Sequence, residues 1–160
     1  TNLLLAFLRD HNTARSVLDV FNDLYAMFGR ETYCRLFPVI LTDRGSEFSN
    51  PVPIEQDEND ELRSLVFYCN PSAPYQKGGI EVAHELVRRV LPKGKSFDDL
   101  QQEDIDLMLS HINSYKRGKL NSRSAYQLFN FIYGDDILPK LNIREIEAND
   151  IVLSPKLLKK

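Results

Sequence analysis

The chain has 160 residues, 42% of them apolar and 27% charged, enough for one ordinary globular core and too few for two comfortable ones. No stretch approaches the roughly 18 apolar residues of a membrane span, and the first residues lack the basic, apolar, small-residue order of a leader peptide, which predicts a soluble, intracellular protein. Twenty Lys and Arg against 23 Asp and Glu give a net charge of −3, so bulk charge does not argue for a nucleic-acid partner.

The distribution of charge is more informative than its sum. Acids concentrate in Glu55–Glu61 and Asp98–Asp106, whereas Lys77, Arg88, Arg89, Lys93, Lys95, Lys116, Arg117, Lys119 and Arg123 dominate elsewhere, leaving room for a basic face on an acidic protein. Cys34 and Cys69 have apolar neighbours, no CxxC spacing and no nearby histidines. They read as buried thiols rather than as a disulfide or zinc ligands.

In chain order, Leu3 to Arg9 is a short apolar run ending in Asp10-His11-Asn12, the pattern of a mostly buried strand and a turn. Asn12 or Thr13 can cap a following helix whose core face is Val17, Phe21, Leu24, Tyr25 and Phe28, with Gly29 placed to end it. Pro38 to Thr42 predicts a second buried strand, stopping at Asp43-Arg44-Gly45-Ser46. The acidic stretch after Pro53 reads as a solvated turn or hairpin, since it lacks the apolar residues that reward burial. Leu65 to Cys69 predicts a third strand, and Asn70 to Gly79, with two prolines and two glycines, a loop.

A helix follows at once, with Ala83, Leu86, Val87, Val90 and Leu91 on its apolar face and Glu81, Glu85 and Arg88 on another. Ile105, Met108, Leu109 and Ile112 mark a further amphipathic helix, and Ser124 to Tyr133 another, before a tail of short apolar bursts. Lys116-Arg117-Gly118-Lys119 reads as a helix end that complements the dipole. The alternation of strands and helices points to an α/β fold.

Two carboxylates stand out by setting. Asp43 ends a buried strand, and Glu81 opens a helix after a Pro- and Gly-rich loop. Brought to one sheet edge they can share a hard divalent cation, because Mg²⁺ takes one or two protein carboxylates and keeps its other sites for water and phosphate oxygens. On spacing alone, the ordinary readings are a turn aspartate and a glutamate that suits a helix N-terminus. His84 stands one turn from Glu81, but the chain has no second Glu-x-x-His, so a surface or packing histidine is the better reading. Lys77 in the loop and Arg88 two turns beyond Glu81 are candidate phosphate contacts.

The wording around these residues resembles a known family. Leu41-Thr42-Asp43-Arg44-Gly45-Ser46-Glu47-Phe48 is similar to the motif around the second Asp of integrase catalytic cores, commonly Thr-Asp-Asn-Gly-x-Glu-Phe. Pro74 to Glu81 looks like the loop and helix start that carry the final Glu. Arg88-Arg89-Val90-Leu91-Pro92-Lys93-Gly94, then Ile112-Asn113-Ser114-Tyr115-Lys116-Arg117, then Ser124-Ala125-Tyr126-Gln127-Leu128-Phe129 resemble, in order, segments of bacterial insertion-sequence transposases. The resemblance runs from about Asn2 to Phe129.

It implies a ribonuclease H-like α/β fold, with 1–133 as an integrase-type catalytic core and 134–160 as a C-terminal tail. It also implies Mg²⁺- or Mn²⁺-dependent two-metal phosphoryl transfer on DNA: strand cleavage and strand transfer, with Asp43 and Glu81 as catalytic metal ligands and Lys77 and Arg88 as DNA contacts. The implied partners are transposon ends and target DNA together with further copies of the chain, and the implied setting is a bacterial cytoplasm in association with the nucleoid.

Two departures are expected to matter. Arg44 stands where the family has Asn, placing a fixed cation beside the metal. The first catalytic Asp, and the two strands around it, would precede Leu3 to Arg9, so the core reads as N-terminally truncated, incomplete by its first two strands and inactive as this fragment. Asp10 follows the strand that corresponds to the third of the fold and does not replace that Asp. The alternative function is a non-catalytic transposase remnant that binds DNA or a partner subunit.

Overall fold

In the computed structural model, which describes residues 1–70, 79–94 and 96–158, the chain divides into two units, Arg9–Gly78 and Thr1–Leu8 with Gly79–Lys160. The first opens on helix α1 (Ala14–Leu36). Thr13 caps it: its hydroxyl accepts from the Ser16 N–H at 3.2 Å, while the Thr13 N–H donates to Ser16 Oγ at 3.3 Å. Val17, Leu24 and Phe28 are buried on one face. Gly29 (φ 73°, ψ 164°) breaks the helix where an end was expected, but a second helical stretch continues to Leu36. Tyr33 holds that continuation in place, fully buried, with its ring 5.2 Å from Tyr25 and 5.1 Å from Phe37.

Strand β1 (Val39–Thr42) and, after a short helix α2 (Val52–Glu55), strand β2 (Leu65–Tyr68) pair in parallel, Val39 opposite Leu65 and Leu41 opposite Phe67. These strands were expected to be buried. Instead Val39, Leu41, Leu65 and Phe67 are about half exposed, at 55, 46, 42 and 53%. Because side chains alternate across a strand, the four form one apolar face, and Thr42 is buried on the other.

The acidic stretch departs from its expected solvation as well. Gln56 and Leu62 form an antiparallel bridge, and the Asp57 side chain inside the turn is only 4% exposed. Arg63 is buried beside it, donating to the Ile54 and Pro53 carbonyls and to Asn22 Oδ1, with its guanidinium 5.1 Å from the Tyr25 ring centre. The composition signals charge, but it does not reveal that one aspartate has a preformed set of donors.

In the second unit, the segment Leu3–Arg9 expected as a strand forms no ladder. Its backbone pairs instead with side-chain amides of helix α4 (Gln102–Ser114), which follows helix α3 (Ile80–Val90). Leu4 N–H donates to Asn113 Oδ1 and Asn113 Nδ2 donates back to the Leu4 carbonyl, both at 2.8 Å. Leu8 N–H donates to Gln102 Oε1 at 2.9 Å, and Gln102 Nε2 donates to the Ala6 carbonyl at 3.2 Å. Gln102 and Asn113 are eleven residues apart, three helical turns, so they share a face. A primary amide offers one acceptor and two donors, which lets it replace a neighbouring strand. An apolar run therefore stays extended without a sheet.

The apolar stripe read from α4, Ile105, Met108, Leu109 and Ile112, is buried, and so are Asp106, Ser110, His111, Asn113 and Ser114. On α3, Leu86 and Val90 are buried as expected, and on α5 (Ala125–Tyr133) Ala125 and Phe129 are. Ser124 caps α5 through a reciprocal pair with Gln127, and Gly134 (φ 96°) follows its last residue.

The run Lys116–Lys119 is not a helix end. Strands β3 (Lys116–Arg117) and β4 (Arg123–Ser124) pair antiparallel across a turn in which Asn121 and Ser122 both have positive φ, 52° and 60°. Tyr115 leaves the helical region (φ −67°, ψ 120°), so the cations extend beyond the helix.

Beyond α5, Ile137, Leu138, Leu141 and Ile143 are buried. From there three α4 side chains hold successive backbone N–H groups: Ser110 Oγ accepts from Arg144 at 3.1 Å, Ser114 Oγ from Ile146 at 2.9 Å and His111 Nδ1 from Val152 at 3.1 Å. Among the described residues no helix is long and apolar enough to cross a membrane, and Cys34 and Cys69 are free thiols.

Two outcomes follow from α4. Asn113→Ala removes the partner of the half-buried Leu4 N–H and carbonyl and lowers stability by about 1–2 kcal/mol, read as a fall in the urea midpoint with loss of amide protection at Leu4. His111 accepts only while neutral, and burial, reinforced by Arg144 and opposed by Asp150, pushes its pKa below the usual value. The unfolded chain therefore takes up the proton first, and the contribution present above about pH 6.5 declines as pH falls through the folded value. Hydrogen exchange at Val152 accelerates between neutral pH and pH 5 relative to Ile146, and in His111→Asn, which keeps an acceptor that does not titrate, it does not.

Candidate functional site

Asp43 directly follows β1, and its exposed carboxylate accepts from the Gly45 N–H at 3.3 Å through Oδ1. This side-chain turn leads the chain from the strand into a single 3₁₀ turn, Ser46–Phe48. The Glu47 carboxylate folds over Gly45 so closely that a Cβ there would stand 2.5 Å from Oε2. A glycine at 45 lets two carboxylate-bearing residues occupy one short loop, with Arg44 exposed between them.

Glu81 lies in the first turn of α3 and is exposed. Arg88 is also exposed and lies seven residues on, about 10 Å along the same face. Arg89 is paired with Glu85. Lys77 lies outside the described residues. Asp43 belongs to the unit Arg9–Gly78 and Glu81 to the other. Both are hard oxygen donors of the kind Mg²⁺ takes. Among the described residues, no group of three or more His, Cys, Asp or Glu side chains is arranged to hold a metal. His84 is exposed on α3.

A strongly perturbed carboxylate lies elsewhere, at Asp57, which the sequence reading missed. Tyr25 OH and Arg30 Nη1 each lie 2.7 Å from Oδ2, and the N–H groups of Asn59 and Glu61 donate to Oδ1 at 2.9 and 3.1 Å. The Tyr25 hydroxyl, helped by those two N–H groups and by the Arg30 charge, holds the carboxyl at about 2 against the opposing effect of enclosure. With four donors on two oxygens, Asp57 is a structural anion that closes the turn. Its local signal was an Asp two residues before an Asn in a turn. The depressed pKa gives a contribution that is complete above the unfolded value near 4 and is lost as pH falls through about 2. Tyr25→Phe is expected to raise the Asp57 pKa toward the ordinary carboxylate range, measured by carboxyl NMR titration, and to move acid unfolding to higher pH.

Two residues that carry the sequence resemblance have roles in folding. Asn113 grips Leu4, and Arg117 reaches the Asn2 and Ile112 carbonyls at 3.5 Å through its two terminal nitrogens. The Asn and Arg of that motif thus anchor the Asn2–Leu8 segment to α4.

Comparison with known proteins supplies the context. The chain is 30% identical over 120 residues, 75% of its length, to the protein named "Putative integrase ORF3" of Spiroplasma virus SpV1-R8A2 B. It is 35% identical over 63 residues, 39% of its length, to the transposase for insertion sequence element IS1086 of Cupriavidus metallidurans. To the transposase for insertion sequence element IS4351 of Bacteroides fragilis it is 27% identical over 94 residues, 59% of its length. The matches span 35, 19 and 28% of those proteins' own lengths. No protein-family profile matches the chain, and no solved structure does. By sequence, the chain is similar to transposases of bacterial insertion sequences and to a viral integrase, and spans about a third or less of their lengths.

Proposed function

We propose that the chain is part of the catalytic core of a DNA transposase, ribonuclease H-like in fold, in which Asp43 and Glu81 are carboxylate ligands of Mg²⁺ or Mn²⁺. The observation that carries this reading is the position of the two residues: Asp43 leaves the end of a parallel strand, Glu81 sits in the first turn of an amphipathic helix, and both are exposed. The names of the relatives support DNA transposition as the process. The parallel order of β1 and β2, with apolar residues on an exposed face, suits a share of a larger sheet, because parallel strands are normally covered on both faces.

When bound, divalent cations supply a nucleophile at neutral pH and charge stabilisation at the leaving oxygen. The chain's own contribution is to present the oxygen donors. The Gly45 N–H orients Asp43, and the first turn of α3 presents Glu81. Arg88, and Lys77 with it, would hold DNA phosphates beside Glu81. Action on two DNA ends and a target calls for more than one copy of the chain, and for a bacterial protein it takes place at the nucleoid.

The absence of a three-donor cluster among the described residues favours a second reading for the chain alone, a non-catalytic remnant that retains DNA or subunit binding. Strand transfer from a pre-cleaved donor end in Mg²⁺ and in Mn²⁺ separates the two, with this chain compared against a form extended by the upstream coding sequence. Activity in the extended form, reduced at least 10³-fold by Asp43→Asn or Glu81→Gln as expected for loss of a metal ligand, supports the enzyme. A folded, DNA-binding extended form that is inactive in both metals leaves the remnant.

A further inference from the structure

We infer that the β3–β4 hairpin is a docking element for the phosphate backbone of duplex DNA, separate from the carboxylates and from Arg88. This deepens the proposed function and rests on it.

The first observation is compositional. From Tyr115 to Gly134 the chain has four cations, Lys116, Arg117, Lys119 and Arg123, and no acid, leaving 16 cations against 23 acids in the remainder. All four of these cations fall within the β3–β4 hairpin, Lys116 to Ser124. The second is exposure: Lys116, Lys119 and Arg123 are all exposed, and among the described residues none of them is in an ion pair.

The third observation is that the hairpin is assembled at a cost. Arg117 and Arg123 stand directly opposite each other across the ladder, an arrangement of like charges that destabilises a strand pair. Asn121 and Ser122, neither of them glycine, both adopt positive φ in the turn, a conformation that L side chains rarely take. Arg117 is held at the base by the Asn2 and Ile112 carbonyls, and its buried Nε has no hydrogen-bond partner. One arginine is thus fixed at the root while Lys116 and Arg123 on the strands and Lys119 between them are exposed. A polyanion lying along the ribbon offsets the repulsion. Duplex DNA fits better than a compact anion, because its phosphates recur along a line and reward several separate cations at once through counterion release.

The test is the salt dependence of duplex binding by the full chain, measured by fluorescence anisotropy on one random-sequence duplex. Lys116→Gln, Lys119→Gln and Arg123→Gln combined is compared with Lys93→Gln, Lys140→Gln and Lys156→Gln combined, which changes net charge equally. The hairpin variant is expected to bind at least tenfold more weakly at moderate salt, with a log–log salt slope lower by about 2–3, and the control to lose less than one unit of slope. Lys119→Glu alone, at the turn, is expected to shift the slope in the same direction without altering the melting temperature. Equal losses in the two triple variants overturn the inference, as does wild-type chain that ignores duplex DNA or prefers phosphatidylserine vesicles to it. Hairpin-dependent binding without metal-dependent strand transfer in the extended form removes the proposed reaction and leaves the hairpin, and the reverse result removes the hairpin alone.

Discussion

Helix α4 is enclosed on nearly every side, and a buried helix can carry polar side chains only if each finds a partner. That constraint organises the unit formed by Thr1–Leu8 and Gly79–Lys160. Gln102 and Asn113 take the backbone of the N-terminal segment, and Ser110, His111 and Ser114 take the backbone of the chain beyond α5. Asp106 accepts from both Gln102 and Asn142. Two segments with no ladder of their own are thereby fixed to one scaffold. The apolar stripe of α4 supplies burial, and its polar residues decide what lies where.

Much of this architecture was legible in the sequence because helical periodicity reports a local property. The cap at Thr13, one of the two residues offered for it, the core face Ile105-Met108-Leu109-Ile112 and the break at Gly29 all fell where side-chain chemistry put them. Leu3–Arg9 did not, since an apolar run states only that a segment is buried and extended. It does not say whether the hydrogen bonds come from a strand or from amides 94 to 109 residues away. The enclosure of Asp57 escaped notice for a related reason, because its donors Tyr25 and Arg30 come from helix α1, 32 and 27 residues earlier in the chain.

The site was legible in part. Asp43 could be placed at a strand end and Glu81 at a helix start from turn and cap chemistry, and the structure keeps both positions. Their joint use of a metal came from resemblance and remains a proposal, since each belongs to a different unit of the chain. The basic run at Lys116–Lys119 was misread as a helix end. Nothing in its four letters signals a hairpin, whose turn depends on Asn121 and Ser122 taking positive φ without a glycine.

Whether Asp43 and Glu81 hold one metal site can be asked of the folded protein without any DNA reaction. With Fe²⁺ in place of Mg²⁺ and ascorbate with peroxide added, hydroxyl radicals cut the backbone next to the bound ion. The shared-site proposal expects two clusters of cuts, one beside Asp43 and one beside Glu81, which disappear together in Asp43→Asn and are suppressed by excess Mg²⁺. Cuts beside only one carboxylate, or a pattern unchanged by Asp43→Asn, would contradict it.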